Sequence, residues 1–190
     1  SEWYTKYSDE EINELNKCID STRDLLFDYL GYITCRDRSL IKKTTTVVSN
    51  GGKTYVDTVT ELPQHFHMGV AMFIAQNEDP NIRMEIVKDL YVAYSNLELI
   101  NPTPVNSNGR LKKGGLISCL LGTVPDSLEG IYDMAKEVAF GSKIGAGWGV
   151  DWARVRAIGG TIAGFKGVAG GKIPFLKVFN STGEAVNQLG

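Results

Sequence analysis

The feature that most constrains the fold is an apolar run followed by a turn and a helix start, within residues 114–128 (GGLISCLLGTVPDSL). Residues 116–121 are apolar apart from one serine and include Cys119, which is typical of a fully buried strand. Residues 122–125 turn the chain toward a helix, with Asp126 as the predicted N-cap. This is the start of a βα unit, and such units bind ligands where a strand ends and the next helix begins.

The composition is that of an ordinary globular protein. The 190 residues can hold one sizeable core or two small ones, with 43% hydrophobic and 22% charged residues. The net charge of −2 predicts no attraction to nucleic acid or to a membrane surface. No apolar run reaches the roughly 18 residues of a membrane span, and residues 1–9 do not resemble a signal peptide. The composition therefore predicts a cytoplasmic protein.

The three cysteines do not form a recognisable framework. Cys18, Cys35 and Cys119 are odd in number, far apart and without a CxxC pair, which argues against structural disulfides and against a zinc knuckle. Cys18 is interpreted as a small core residue, and Cys35 as half-exposed and without a role.

The pattern is mainly helical over residues 1–112. Ser8 and Glu11 form a capping box, and the apolar spacing after them predicts one helix to about Leu30, ended by Gly31. The other predicted elements are a strand at 32–35, a hairpin of strands 44–48 and 54–59, helices at 63–76 and 81–97 (the second capped by Asn81), and a loop at 106–115.

From residue 113 to residue 190 the pattern is that of βα units. The predicted elements are a helix at 127–140, a strand at 145–150, a glycine-rich loop at 154–171 and a helix at 174–189 that Pro174 opens.

Three short motifs are weak candidates for sites. Residues 51–54 (GGKT) imitate the tail of a P-loop, but Val47 stands where that loop requires glycine. Residues 145–149 (GAGWG) could allow close approach of a nucleotide or serve only tight backbone packing. His65 and His67 have no carboxylate or thiol at ligand spacing, so we predict no metal site.

Cys119, Asp126 and Arg156 point to function mainly as a set. Taken singly, they would be a core thiol, a helix cap and a solvated charge. Taken together, they put a thiol at a strand end, a carboxylate at the next helix start and an arginine ahead of a glycine-rich loop.

These residues belong to motifs that resemble the large, catalytic subunit of class I ribonucleotide reductase. The motifs are 7–11 (YSDEE), 20–24 (DSTRD), 101–104 (NPTP), 118–121 (SCLL), 126–133 (DSLEGIYD), 147–150 (GWGV) and 154–159 (RVRAIG). Their order and spacing extend over nearly the whole chain, which makes the resemblance specific. It implies an α/β fold, with a helical N-terminal domain followed by the first part of a ten-stranded α/β barrel.

The resemblance implies an oxidoreductase that makes deoxyribonucleotides for DNA replication. In that family a thiyl radical activates the ribose, and a pair of thiols supplies two electrons as it closes to a disulfide. Cys119 matches one thiol of this pair. Thr103, Ser118, Cys119 and Gly147 match positions that contact the substrate.

The resemblance also implies an allosteric site for a deoxynucleoside triphosphate or ATP effector. Asp126, Ser127 and Leu128 match residues of that site, with the carboxylate accepting from the effector sugar. Arg156 matches a ligand of the effector phosphates, and Lys166, in the specificity loop that follows, is a candidate second ligand.

Several partners follow from the resemblance. Helices 127–140 and 174–189 resemble the pair that forms a dimer interface. The radical cysteine and the second reducing cysteine would lie beyond Gly190, and residues 187–190 would begin a second specificity loop. We therefore expect the N-terminal piece of such a catalytic subunit, either a natural split subunit or an excised fragment, active only with the rest of the barrel. It would work with a metal-containing radical small (beta) subunit and thioredoxin or glutaredoxin, and would itself bind no metal or cofactor.

Two alternatives remain at the level of sequence. One is a non-catalytic regulator that binds deoxynucleoside triphosphates with the effector half alone. The other is a cobalamin-dependent reductase, which shares the barrel, although the helical-domain motifs and the dimer helices favour class I.

Overall fold

A computed structural model describes residues 3–49, 52–112 and 114–186. The chain divides into two compact units, Ser1–Leu116 and Ile117–Gly190.

The first unit is built mainly of helices and also contains one antiparallel hairpin. Its elements are a 3₁₀ segment Trp3–Lys6, helix α1 (Asp9–Lys17), a 3₁₀ segment Ser21–Leu26, helix α2 (Tyr29–Arg38), strands β1 (Lys42–Ser49) and β2 (Gly52–Val59), and helices α3 (Pro63–Ala75), α4 (Pro80–Ser95) and α5 (Thr103–Asn108).

The prediction of one helix from Asp9 to about Leu30 is wrong beyond Lys17. Helix α1 begins with the predicted capping box, in which the Ser8 hydroxyl accepts from the Glu11 N–H. Two further aspartates then start new segments, because Asp20 caps the 3₁₀ turn and Asp28 caps α2.

The predicted helix stop and the short strand after it are also wrong. Gly31 lies in the first turn of α2, where its N–H donates to the Asp28 carboxylate at 2.6 Å. Residues 32–35 are therefore helical. Helix α4 begins at Pro80, one residue earlier than predicted, because Asp79 rather than Asn81 supplies the cap. The loop predicted at 106–115 begins instead as the end of α5.

The predicted hairpin is confirmed. Strands β1 and β2 pair antiparallel from Lys42 opposite Val59 to Ser49 opposite Gly52. Residues 50 and 51 of the predicted turn lie outside the described residues.

The core of the first unit lies on α3 and α4 and is supplemented by two ion pairs. Its buried hydrophobic residues are Tyr7, Leu15, Leu40, Phe66, Met68, Val70, Ala71, Met72, Ala75, Val87, Tyr91 and Tyr94. Arg83 of α4 donates to Glu11 of α1 at 2.7 Å, and buried Arg110 pairs with Glu61. Both cations also lie over aromatic rings, Tyr7 and Phe66 respectively.

The second unit contains two parallel strands and two helices. Strand β3 (Cys119–Thr123) pairs in parallel with β4 (Gly147–Asp151), and helix α6 (Leu128–Lys143) connects them. Helix α7 (Ile173–Val186) packs on α6, and the predicted residues 187–189 of this helix lie outside the described residues. The buried hydrophobic residues of this unit are Val124, Ile131, Ala135, Val138, Val155 and Phe179.

The structure corrects two details of the central βα unit. Strand β3 begins at Cys119 rather than at residue 116, and it is not fully buried, since Leu121 is 85% exposed. The cap of α6 is Ser127, whose hydroxyl accepts from the Gly130 N–H at 3.1 Å. Asp126 does not take that role, because its carboxylate is engaged by an arginine.

Candidate active and effector sites

The first group of predicted site residues meets at the amino end of the parallel strand pair. Cys119 and Gly147 are register partners, each the first residue of its strand, and the Gly147 N–H donates to the Ser118 carbonyl at 2.8 Å. Ser118, Cys119 and Gly147 are all exposed. The thiol is thus a free cysteine on an open edge, beside a second strand that begins at the same level.

Gly147 has space around it that the described residues do not fill. A Cβ atom there would meet only the Ser118 carbonyl oxygen, at an ordinary contact distance of 3.7 Å. Gly141 differs, because a Cβ atom there would lie 2.1 Å from the Trp148 Nε1 atom. Packing among the described residues therefore accounts for glycine at 141 and gives no reason for it at 147.

Thr103 lies in the first unit, at the start of α5. It is exposed, and its carbonyl accepts from the Ser107 hydroxyl at 2.9 Å. Its side chain lines a groove of that unit.

The second group of predicted residues lies beyond the carboxyl end of β3. Asp126 and Arg156 form an ion pair in which Arg156 Nε donates to both carboxylate oxygens, at 2.9 and 3.0 Å. The Arg156 backbone N–H also donates to Asp126, at 3.2 Å. These bonds hold the pKa of Asp126 below its usual range, so the carboxylate stays ionised at neutral pH.

Arg156 keeps N–H groups for a further acceptor. One terminal nitrogen donates to the Thr161 carbonyl at 2.6 Å, and the other to the Asp126 carbonyl at 3.4 Å. A guanidinium has five N–H groups, so two are left over, and the side chain is about one-third exposed. The arginine is thus fixed in direction while it remains accessible.

The loop after Arg156 is ordered by its own backbone. The Gly159 N–H donates to the Ala169 carbonyl at 2.9 Å, the Ala169 N–H donates to the Gly160 carbonyl at 2.8 Å, and Thr161 pairs with Val168 across the loop. Lys166 lies on this loop and is exposed.

Ser127 and Leu128 complete the second group. The Ser127 hydroxyl is used as the cap of α6, and Leu128 is exposed on the first turn of that helix. The structure therefore brings Asp126, Ser127, Leu128 and Arg156 together. β3 separates them from Cys119 by its own length, roughly 13 Å for four residue steps.

Comparisons with known proteins identify the family of the chain. The family model described as "Ribonucleotide reductase, all-alpha domain" matches residues 25–114, and the model described as "Ribonucleotide reductase, barrel domain" matches residues 117–190. The chain belongs to the ribonucleotide reductase large-subunit family. The predicted fold, a helical domain followed by the start of an α/β barrel, is confirmed.

Relatives in the reductase family are similar along nearly the whole chain. The alpha subunit of ribonucleoside-diphosphate reductase from Helicobacter pylori is 42% identical over 181 residues, or 95% of this chain. The alpha subunit from Treponema pallidum is 38% identical over 98% of this chain, and the vaccinia virus large subunit is 32% identical over 97%. The chain spans only about a fifth of the length of these relatives, 21% in each case.

Two cysteines and one histidine of the first unit differ in their burial. Burial raises the pKa of the Cys35 thiol to about 11, so this thiol is not a nucleophile at neutral pH. Burial, with a smaller effect of the Arg110 charge, lowers the pKa of His67 to about 4. Cys18 is exposed rather than a core residue, because it follows the last turn of α1.

Two absences hold for the described part of the chain. No group of three or more histidine, cysteine, aspartate or glutamate side chains could hold a metal ion there. None of its helices is long and apolar enough to cross a membrane.

Sequence reasoning missed the Thr161 carbonyl, which holds Arg156 from the loop side. A backbone acceptor has no side-chain signature, and its position depends on how the loop closes. The bridge between Thr161 and Val168 could be found only in the structure.

Proposed function

We propose that this chain is part of the catalytic subunit of a ribonucleoside-diphosphate reductase and that Cys119 is one of its two reducing thiols. The observation that carries the proposal is the exposed thiol of Cys119 directly opposite Gly147, where open space would admit a nucleotide. Ser118, Gly147 and Thr103 are the proposed substrate contacts.

The chemistry balances with one thiol from this chain and one from elsewhere in the subunit. The ribose loses its 2′-hydroxyl as water and gains hydrogen at C2′, while two thiols lose two electrons and two protons and close to a disulfide. Thiyl-radical formation would depend on a metal-containing small subunit. Thioredoxin or glutaredoxin would reduce the disulfide afterwards.

The Asp126 and Arg156 pair is the proposed effector site. The unused N–H groups of Arg156 suit the phosphates of ATP or a deoxynucleoside triphosphate, since charge-assisted bonds to phosphate are strong. Asp126 would orient Arg156 as well as accept from the sugar, and Ser127, Leu128 and Lys166 would line the same site. We also propose that α6 and α7 take part in a dimer interface.

The proposed enzyme is incomplete without further polypeptide. The chain covers about a fifth of its relatives, and two parallel strands alone do not form a stable sheet. Activity would therefore require the rest of the barrel and the small subunit, in the cytoplasm as the expected compartment.

A reconstitution experiment tests this function. The chain would be purified with the remaining catalytic-subunit polypeptide and the small subunit of the same source, and conversion of a ribonucleoside diphosphate would be measured with thioredoxin as reductant. We expect turnover from the complete mixture and none when this chain is omitted. A complete mixture that binds deoxynucleoside triphosphates but forms no product would contradict catalysis and support the regulator. Turnover that requires added cobalamin in place of the small subunit would support the cobalamin-dependent class.

A further inference from the structure

The first unit contains an apolar groove, here called the α2–α4 groove, that none of the candidate sites uses as a whole. Its volume is about 660 Å³. It is lined from α2, from α3 and from the segment that follows α4, and its apolar lining includes Leu26, Phe27, Leu30, Phe66, Val70 and Ile100.

The apolar surface of the groove continues onto its rim. Leu30 is 71% exposed and Ile100 is 83% exposed, although both line the groove. Leu25 and Tyr29, next to the lining residues in the chain, are exposed as well. Contiguous apolar surface of this kind usually marks a contact with another polypeptide.

Two polar side chains in the groove each have one buried atom without a hydrogen-bond partner. The Nε2 atom of His67 and the Nδ2 atom of Asn101 are buried and unpaired in the described part of the chain, and His67 is only 8% exposed. Leaving such an atom unpaired costs about 1–3 kcal/mol. An entering segment with backbone N–H and C=O groups would supply the missing bonds.

Two charged side chains line the groove, Asp28 and the exposed Arg38. The Asp28 carboxylate accepts from the Gly31 N–H as the cap of α2, and burial keeps His67 neutral at physiological pH. Apart from these side chains the groove is lined mainly by apolar groups, which suit an apolar partner.

The size of the relatives identifies the occupant. About four-fifths of their length lies outside this chain, so polypeptide of the same subunit is available to cover the apolar lining and rim of the groove. We propose that the α2–α4 groove is the docking site for an apolar, extended segment of the remaining reductase catalytic-subunit polypeptide. This inference rests on the proposed function, because it takes that polypeptide as the partner. The segment would come to lie beside Thr103, on the groove wall.

Site-specific crosslinking tests the docking site. Leu30 would be replaced by the photoreactive residue p-benzoylphenylalanine, and Val48 on the hairpin, which is similarly exposed but does not line the groove, would be replaced as the control. After assembly with the remaining polypeptide, we expect irradiation to join Leu30→p-benzoylphenylalanine to one peptide of that polypeptide, with at least tenfold less product from position 48. Crosslinks to a second copy of this chain, to its own second unit, or equally from both positions would overturn the proposal.

A binding measurement separates this proposal from the proposed function. Ile100→Asp is expected to weaken association with the remaining polypeptide at least tenfold, whereas Val48→Asp should not change it. Thermal melting of both variants would confirm that they fold. If the assembled protein shows no reductase activity but the Leu30 crosslink and the Ile100 effect persist, the function fails and the groove proposal stands. Unchanged association of a folded Ile100→Asp variant would overturn the groove proposal alone.

Discussion

At the scale of single residues, Asp126 and Arg156 show how a site can be prepared before its ligand arrives. Arg156 is held by the Asp126 carboxylate and by the Thr161 carbonyl, so little side-chain freedom is left to lose on binding. The cost of this arrangement is that Asp126 is unavailable as a helix cap, and Ser127 takes that place.

The first prediction concerns Arg156. Arg156→Lys keeps the positive charge but loses the planar guanidinium, which can bind Asp126 and a phosphate at the same time. We therefore expect the affinity for a deoxynucleoside triphosphate to fall at least tenfold, or ~1.4 kcal/mol. Arg154→Lys is the matched control, since Arg154 is exposed two residues earlier. Equilibrium binding of a labelled effector measures both. Equal dissociation constants for wild type and Arg156→Lys would remove Arg156 from the site.

The second prediction concerns the pH dependence of folding. His67 has a pKa of about 4 in the folded protein, against 6.5 for an unperturbed histidine, because burial and the Arg110 charge disfavour its protonation. The unfolded chain therefore binds the proton first as the pH falls, and the folded state loses up to about 3 kcal/mol between pH 6.5 and pH 4.

Urea unfolding at pH 7.0 and pH 4.5 would measure this effect, with the His67→Phe variant as the reference. Phenylalanine keeps the ring that lies against Phe27, Phe66 and Tyr94 and cannot be protonated. We expect the loss of unfolding free energy on acidification to be smaller in the variant. An equal loss in both proteins would show that His67 does not control the dependence.

At the scale of elements, the sequence located some segment starts correctly, but it misplaced the starts of β3 and α4 and missed that of α2. The capping box at Ser8 and the proline that opens α3 act through local hydrogen bonds and fixed backbone angles, and both predictions hold. The prediction of one long first helix was wrong because it followed the apolar spacing, which continues past Lys17. Asp20 and Asp28 instead cap two new segments. Tertiary packing decides whether a helix continues along its apolar spacing or a new segment starts at a cap, and a single sequence does not reveal that packing.

The third prediction concerns the contact between α6 and β4. Gly141 of α6 faces the Trp148 ring so closely that an added Cβ atom would overlap Nε1. We expect Gly141→Ala to lower the free energy of unfolding by about 1–3 kcal/mol through overpacking.

Gly183 provides the matched control, because it lies in α7 with no atom within 4 Å of an added Cβ. Gly183→Ala should raise stability by about 0.5–1 kcal/mol through helix propensity. Denaturant unfolding measures both changes. A Gly141→Ala variant as stable as Gly183→Ala would contradict the packing described between α6 and Trp148.

At the scale of the whole molecule, the sequence predicted a helical half followed by βα units, and the family models confirm that fold. The residues of both candidate sites were named from motifs, and within the second unit the structure places Cys119 and Gly147 at one end of β3 and Asp126 with Arg156 beyond the other. Motifs did not indicate the exposure of Leu121, the ion pair of Asp126 with Arg156, or the α2–α4 groove. Each of these depends on contacts between residues far apart in the chain, or on surface that further polypeptide would cover.

Exposed apolar surface on both units is the physical reason to propose that further polypeptide covers this chain. Leu121 on β3 and Ile100 beside α5 are both more than 80% exposed, although one belongs to a barrel strand and the other to a groove wall. Burial of each of these side chains under further polypeptide would add about 1.5–3 kcal/mol of stabilisation.

The most direct test of the account is sustained turnover by the assembled enzyme carrying Cys119→Ser, with Cys18→Ser as the matched control because Cys18 is an exposed thiol of the first unit. With thioredoxin as reductant, we predict that Cys119→Ser loses at least a hundredfold in deoxyribonucleotide formation while it still binds effector, and that Cys18→Ser keeps full activity. Undiminished turnover by Cys119→Ser would contradict the central claim that this thiol supplies electrons to the substrate.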